Sequence, residues 1–102
     1  MRIYLSAGLA EVEVLAAGTE ISAQRFVPSS EDEADEFESF SEAAALGGVV
    51  VSADVGDPDA PVTLAEVASF HLDVDGSGDL AWYATQEVDA VLLIMRNTAS
   101  EA

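Results

Sequence analysis

A single α/β domain is the fold this sequence predicts, and three observations predict it. Stretches of strand and helix character alternate along the chain. The run Val49-Val50-Val51 has the unbroken hydrophobicity of a strand buried on both faces. The chain has 102 residues, half of them hydrophobic, which is one core's worth and too apolar for wholesale disorder. Such alternation predicts βαβ crossovers and a mixed, partly parallel sheet of about four to five strands with about three helices. The expected order is β-α-β-α-β-β-β-α, with residues 1–97 as one domain and 98–102 as a frayed tail.

Arg2 to Leu5 is a short β-prone run, and Ser6 stands where a helix N-cap belongs. Between Ala7 and Ala17, Leu9, Val12 and Leu15–Ala16 recur at helical spacing, and Gly18 is a C′ stop. Thr19 to Val27 reads as a second strand, with Ile21, Ala23 and Val27 on one face and Pro28 ending it. Ser30-x-x-Glu33 is a capping-box pattern, with Ser29 a competing cap. The helix over 31–46 carries Ala34, Phe37, Phe40 (or Ser41) and Ala44 on its stripe, and Gly47-Gly48 closes it.

Gly48 to Val55 is the third strand, and GDPDAP a turn-rich loop. VTLAEVASFHLDV has two readings. Thr63 caps a short helical turn before a strand Ala68 to Val74, or the whole stretch is one helix with Leu64, Val67 and Phe70 (or His71) on a face. DGSGD is a loop, Leu80 to Thr85 a further strand, and Glu87 to Arg96 an apolar C-terminal helix. The last strands are expected to extend the sheet as antiparallel neighbours.

Twenty Asp and Glu stand against three Arg, one His and no Lys, for a formal net charge of −17. That balance argues against any surface that neutralises phosphates on nucleic acid or on an anionic membrane. Without Cys there is no disulfide, thiolate nucleophile or thiolate metal site. Glu11 and Glu13 interrupt the opening apolar stretch, which predicts no secretory signal. The apolar run Ala90 to Met95 is far short of the roughly 20 residues of a bilayer span, so a cytoplasmic protein is expected.

Four constellations could carry chemistry. Glu31 to Glu42 holds seven carboxylates in twelve positions, either a phosphate-mimicking surface or, the preferred reading, a solvated helix face. Asp73, Asp75, Ser77, Gly78 and Leu80 match the first eight positions of an EF-hand loop, Asp79 lying among them. Position 12, which should hold a bidentate Glu, is Ala84, so an acidic β-turn is preferred and calcium is expected to bind weakly if at all. His71 is the only histidine, and Gly76-Ser77-Gly78 lacks the spacing of a nucleophile elbow, so a structural histidine is expected and no catalytic residue is assigned. Neither a P-loop nor a G-x-G-x-x-G is present. Trp82 and Tyr83 are adjacent in a strand and must face opposite ways.

Met1, Arg2, Ile3, Tyr4, Leu5, Ala7 and Leu9 fit an opening M-R-[IV]-Y-[LV]-x-A-x-L. Val49, Val50, Val51, Ala53, Asp54 and Val55 fit a central V-V-V-x-A-D-V, and Leu64 to Asp73, with His71 in place, fit L-A-[DE]-V-A-x-x-H-x-D. Leu80, Trp82, Tyr83, Ala84, Thr85, Gln86 and Glu87 fit L-x-W-Y-A-T-Q-E. In this order along nearly the whole chain, these stretches resemble an uncharacterised family of small actinobacterial proteins. Family members commonly carry an insertion before the Trp-Tyr motif, reduced here to DGSGD, so this chain resembles a shortened member. The resemblance implies a fold and a bacterial origin but no established activity.

The function expected is a non-catalytic protein–protein interaction or regulatory module with a basic protein partner. Its expected contacts are Glu33, Asp35, Glu36, Trp82, Tyr83, Gln86 and Glu87. The alternatives are a weak calcium module through Asp73, Asp75, Ser77 and Asp79, and a nucleic-acid-mimicking inhibitor of a DNA-binding protein. An enzyme built on His71 ranks last.

Overall fold

The computed structural model describes residues 1–101, with side chains through Thr98. The elements are β1 (Arg2–Ala7), α1 (Leu9–Ala16), β2 (Gln24–Phe26), α2 (Glu33–Ala45), β3 (Val49–Asp54), β4 (Val67–Leu72), β5 (Ala81–Ala84) and α3 (Val88–Glu101). Single 3-10 turns at Leu64–Glu66 and Thr85–Glu87 precede β4 and α3. Three helices and a five-stranded sheet make one α/β domain in the expected element order.

The sheet runs β2-β1-β3-β4-β5, and every neighbouring pair is antiparallel, which corrects the expected partly parallel sheet. β2 and β3 both run against β1, so they point the same way and α2 joins them as a crossover. β1 lies between them, and no parallel pair forms. The cause lies after α1. That helix has only eight residues, about 12 Å at 1.5 Å per residue. An extended passage follows it, in which Ile21 bridges Val62. This extra pass reverses the chain once more, and β2 enters beside β1 in the opposite sense. Alternation of helix and strand in a sequence does not report such a pass.

Strand alternation sends Ile3, Leu5, Val51, Phe70 and Leu72 to one face, where Val12 and Leu15 of α1 and Val91 and Leu92 of α3 complete the main core. The other face holds a smaller cluster of Tyr4, Val50 and, from α2, Ala43. β3 is buried from Val49 through Ala53, as its valine run predicts. A register shift between Ser52 and Ala53 against β4 lets both Val67 and Phe70 reach the main core.

Tertiary pairing moves several local boundaries. Ser6 is not a cap; it pairs with Val50 inside β1, and the cap of α1 is Gly8, whose N–H donates to the Glu11 carboxylate at 2.8 Å. The strand expected over Thr19 to Val27 shrinks to Gln24–Phe26. Asp32, not Ser30, caps α2 by accepting the Ala34 N–H at 2.9 Å. Ser30 accepts the Asp32 N–H and donates to Asp35 instead. The buried stripe of α2 is also rotated from the expected one. Ser39 and Ala43 are buried and Phe40 and Ala44 pack on the small cluster, while Phe37 is 70% exposed.

Gly18 (φ 89°) and Gly47 (φ 85°) follow the last residues of α1 and α2 in the left-handed conformation that lets glycine stop a helix. Of the two readings of residues 62–74, the chain takes the first. The Glu66 carboxylate accepts the Thr63 N–H at 3.0 Å to close the 3-10 turn, and β4 follows. α3 continues through Glu101, past the expected end at Arg96.

Candidate functional site

Helix α2 packs on β1, β2 and β3. On the same face α2 reaches β4 through Phe40, whose ring lies against His71. Trp82 of β5 stands there 61% exposed, opposite His71 of β4 in register. Between α2 and His71 runs an open groove of about 710 Å³, walled by Tyr4, Phe37, Phe40 and His71 and rimmed by Glu33 and Glu36. Period-two alternation places Tyr4, Ser52 and His71 on this face from three adjacent strands.

His71 Nε2 lies 2.8 Å from the Ser69 hydroxyl oxygen and 3.5 Å from that of Ser52. The Phe40 ring meets the imidazole edge-to-face at 5.0 Å and Tyr4 at 5.9 Å. Burial disfavours the imidazolium and the Arg2 charge repels it, so the His71 pKa falls below its ordinary value and the ring is neutral at pH 7. The Tyr4 hydroxyl donates to Glu36 at 3.3 Å. Burial, then the Glu36 charge, raises the Tyr4 pKa. Arg2 is turned to Asp54, with Nε–Oδ1 at 2.7 Å and a second contact at 3.1 Å.

This arrangement does not assemble an acyl-transfer site. Ser52 and Ser69 are only 2% and 4% exposed, and both hydroxyls lie against His71 Nε2. Among the described residues, no carboxylate bonds His71 to orient it as a base. The serines satisfy the ring nitrogen of a half-buried histidine.

The expected contact residues are only partly brought together. Glu33 and Glu36 line the groove, and Trp82 stands along the same face. Asp35 is drawn off by the Ser30 hydroxyl at 2.6 Å. Tyr83 points to the other face and packs half-buried against the main core. Gln86 and Glu87 are exposed in the turn after β5, where the Glu87 carboxylate accepts the Ala84 N–H at 3.0 Å. The sequence reading put Phe37 and Phe40 on the apolar stripe of α2 and gave neither them nor Tyr4 a site role. Only the pairing of β1 with β3 and of β3 with β4, and the rotation of α2, unite them with His71.

The Asp73–Leu80 segment joins β4 to β5 as a hairpin loop. The Asp73 carboxylate accepts N–H groups from Asp75, Gly76 and Gly78 at 3.2, 2.7 and 2.8 Å. Asp75 accepts the Ser77 N–H at 3.0 Å, and hydrogen bonding from Ser77 lowers its pKa. Ser77 Oγ accepts the Asp79 N–H at 3.2 Å. Among the described residues, no three acidic or histidine side chains converge as a metal site requires. A second cavity, of about 530 Å³, lies at the strand ends between Leu9, Val49, Leu72, Leu80 and Met95. No described helix is long and apolar enough to cross a membrane. The chain matches no family model, no curated protein and no solved structure.

Proposed function

We propose that this chain is a non-catalytic protein–protein interaction module of the cytoplasm, a shortened relative of the small actinobacterial proteins it resembles, and that a basic protein docks on the α2 face of its sheet. One observation carries the reading. Two large exposed rings, Phe37 and Trp82, share a face that α2 roofs only in part, beside the carboxylates of Glu33 and Glu36. Affinity at an interface comes from desolvating such aromatic anchors. The net charge of −17 steers a basic partner and sets its on-rate more than its affinity. Trp82 rather than Tyr83 is the anchor, because Tyr83 contributes to the core.

The test is retention of a basic protein from bacterial lysate by the intact chain and two variants. Wild type retains it, the triple reversal Glu33→Lys, Asp35→Lys, Glu36→Lys slows its association and flattens the salt dependence, and Trp82→Ala raises its off-rate. An empty wild-type capture, or one unchanged by both variants, overturns docking on this face.

A further inference from the structure

We propose that the groove beside α2 seats one arginine side chain of the basic partner, its guanidinium against the Phe37 and Phe40 rings and paired with Glu33 and Glu36. The inference rests on the docking reading and narrows it to one residue type.

The first support is the wall chemistry. Aromatic rings and carboxylates face one open volume of about 710 Å³. Ring faces attract cations, and the two carboxylates add unit charges of the same preference. An anion would meet two like charges there. A neutral apolar side chain would desolvate the carboxylates without pairing them.

The second support is that the chain's own cations are engaged, the N-terminal ammonium with the Val55 carbonyl at 2.9 Å and Arg2, whose charge reaches Glu36, chiefly with Asp54. Arg25 donates to the Pro58 and Ala60 carbonyls at 2.7 and 2.6 Å, and Arg96 pairs with Glu13 at 3.0 Å. There is no lysine. His71 on the groove wall is uncharged at pH 7, because its burial disfavours protonation.

The third support is access. Trp82 is the next ring along the face, opposite His71, so a partner backbone passing over Trp82 can turn one side chain in toward α2. A guanidinium suits the place better than an ammonium. It is planar and weakly hydrated, so it stacks on rings while its edge N–H groups reach carboxylates.

The experiment uses the whole chain and two small probes, Nα-acetyl-arginine methylamide and the citrulline counterpart, which has the same shape and no charge. Binding is followed by NMR shifts of the backbone amides and the aromatic rings. The arginine probe is expected to bind with a millimolar Kd, to move Phe37, Phe40 and His71 signals, and to bind at least tenfold more tightly than citrulline. Phe37→Ala and the double variant Glu33→Gln, Glu36→Gln should each weaken the arginine probe about three- to tenfold. Neither change threatens the fold, since Phe37 is exposed and glutamine at position 36 still accepts the Tyr4 hydroxyl. Trp82→Ala should leave the probe unaffected while weakening the intact partner. Equal binding of the two probes, no binding of either, or arginine-induced shifts confined to Glu38, Glu42 or the Asp73–Asp79 loop overturn the arginine seat. Those outcomes leave docking to be judged by the charge reversal and Trp82→Ala, so the two claims fail separately.

Discussion

The two faces of the sheet are built from the same strands and do different work. On one, α1 and α3 close over Ile3, Leu5, Val51 and Phe70, all fully buried. On the other, α2 shelters Tyr4, Val50 and Ala43, and the buried floor includes Ser52 and Ser69 with His71 beside them. Helices are amphipathic, and α2 carries its carboxylates so densely that little of it can be laid on a sheet. The sealed face therefore holds the fold, and the half-roofed face has surface to offer a partner. Packing is thus divided unevenly between two sides of one layer, and the recognition proposed here belongs to the less covered one.

The largest expected effect separates the faces directly. Phe70→Ala removes a fully buried ring from the main core and should cost about 3–5 kcal/mol in denaturant unfolding. Trp82→Ala, one strand away on the open face, should stay within about 0.5 kcal/mol of wild type. If the two variants unfold alike, Trp82 is a packing residue and the division of labour is wrong.

Much of this division was legible in the sequence. The triple valine marks β3 as central because no water reaches either side of it. Gly18 and Gly47 mark helix ends because few other residues adopt their backbone conformation. The antiparallel order was hidden, since it depends on the pass through Ile21 to its bridge with Val62, a contact between segments far apart in the chain. The groove was hidden for a related reason. Glu33, Glu36 and Trp82 were legible as an acidic helix and an aromatic strand residue. Tyr4, Phe40 and His71 meet only once β1, β3 and β4 are in register and α2 has turned Phe37 outward.

Charge gives the next effect. Self-repulsion among about 17 net negative charges opposes the compact state. The melting temperature should therefore rise between about 10 and 500 mM NaCl, over which the Debye length falls from about 30 Å to under 5 Å. An unchanged value would show that the charges are too dispersed to strain the fold. His71 then adds a pH dependence that belongs to the half-roofed face alone. Its folded pKa lies below the unfolded one, so the unfolded chain takes up the proton first as pH falls. The His71 contribution is fully present above about pH 6.5 and is lost as the pH drops from there through the folded value. In urea titrations across pH, His71→Asn should lack this limb; a variant with the wild-type profile would place the titration elsewhere. Calcium should contribute less still. Asp73 already accepts three backbone N–H groups, and calorimetry should find affinity no tighter than about 10⁻⁴ to 10⁻³ M. Micromolar affinity lost in Asp73→Ala would make the hairpin loop a third functional region.

The smallest effect tests the outer end of the half-roofed face. Arg2 and Asp54 are register partners on β1 and β3, bidentate at 2.7 and 3.1 Å, with side chains 38% and 59% exposed. Exposed pairs contribute about 0–1 kcal/mol, and good geometry places this one toward the upper end. The Arg2 hydrogen bond lowers the Asp54 pKa against the opposing pull of desolvation. That contribution is present above the ordinary aspartate value of about 3.9 and is lost as pH falls through the folded one. Asp54→Asn should thus cost at most about 1 kcal/mol at pH 7, and little of that should survive in 0.5 M NaCl. Its effect on the groove should be easier to see than its effect on the fold. Arg2 already feels the charge of Glu36, and once released from Asp54 it can turn toward that carboxylate and compete with an incoming guanidinium. The arginine probe should therefore bind Asp54→Asn more weakly than wild type, and high salt should not restore it. A cost above about 2 kcal/mol would mean instead that this corner is packed as tightly as the sealed face, and the contrast between the two sides would not extend to the end of the sheet.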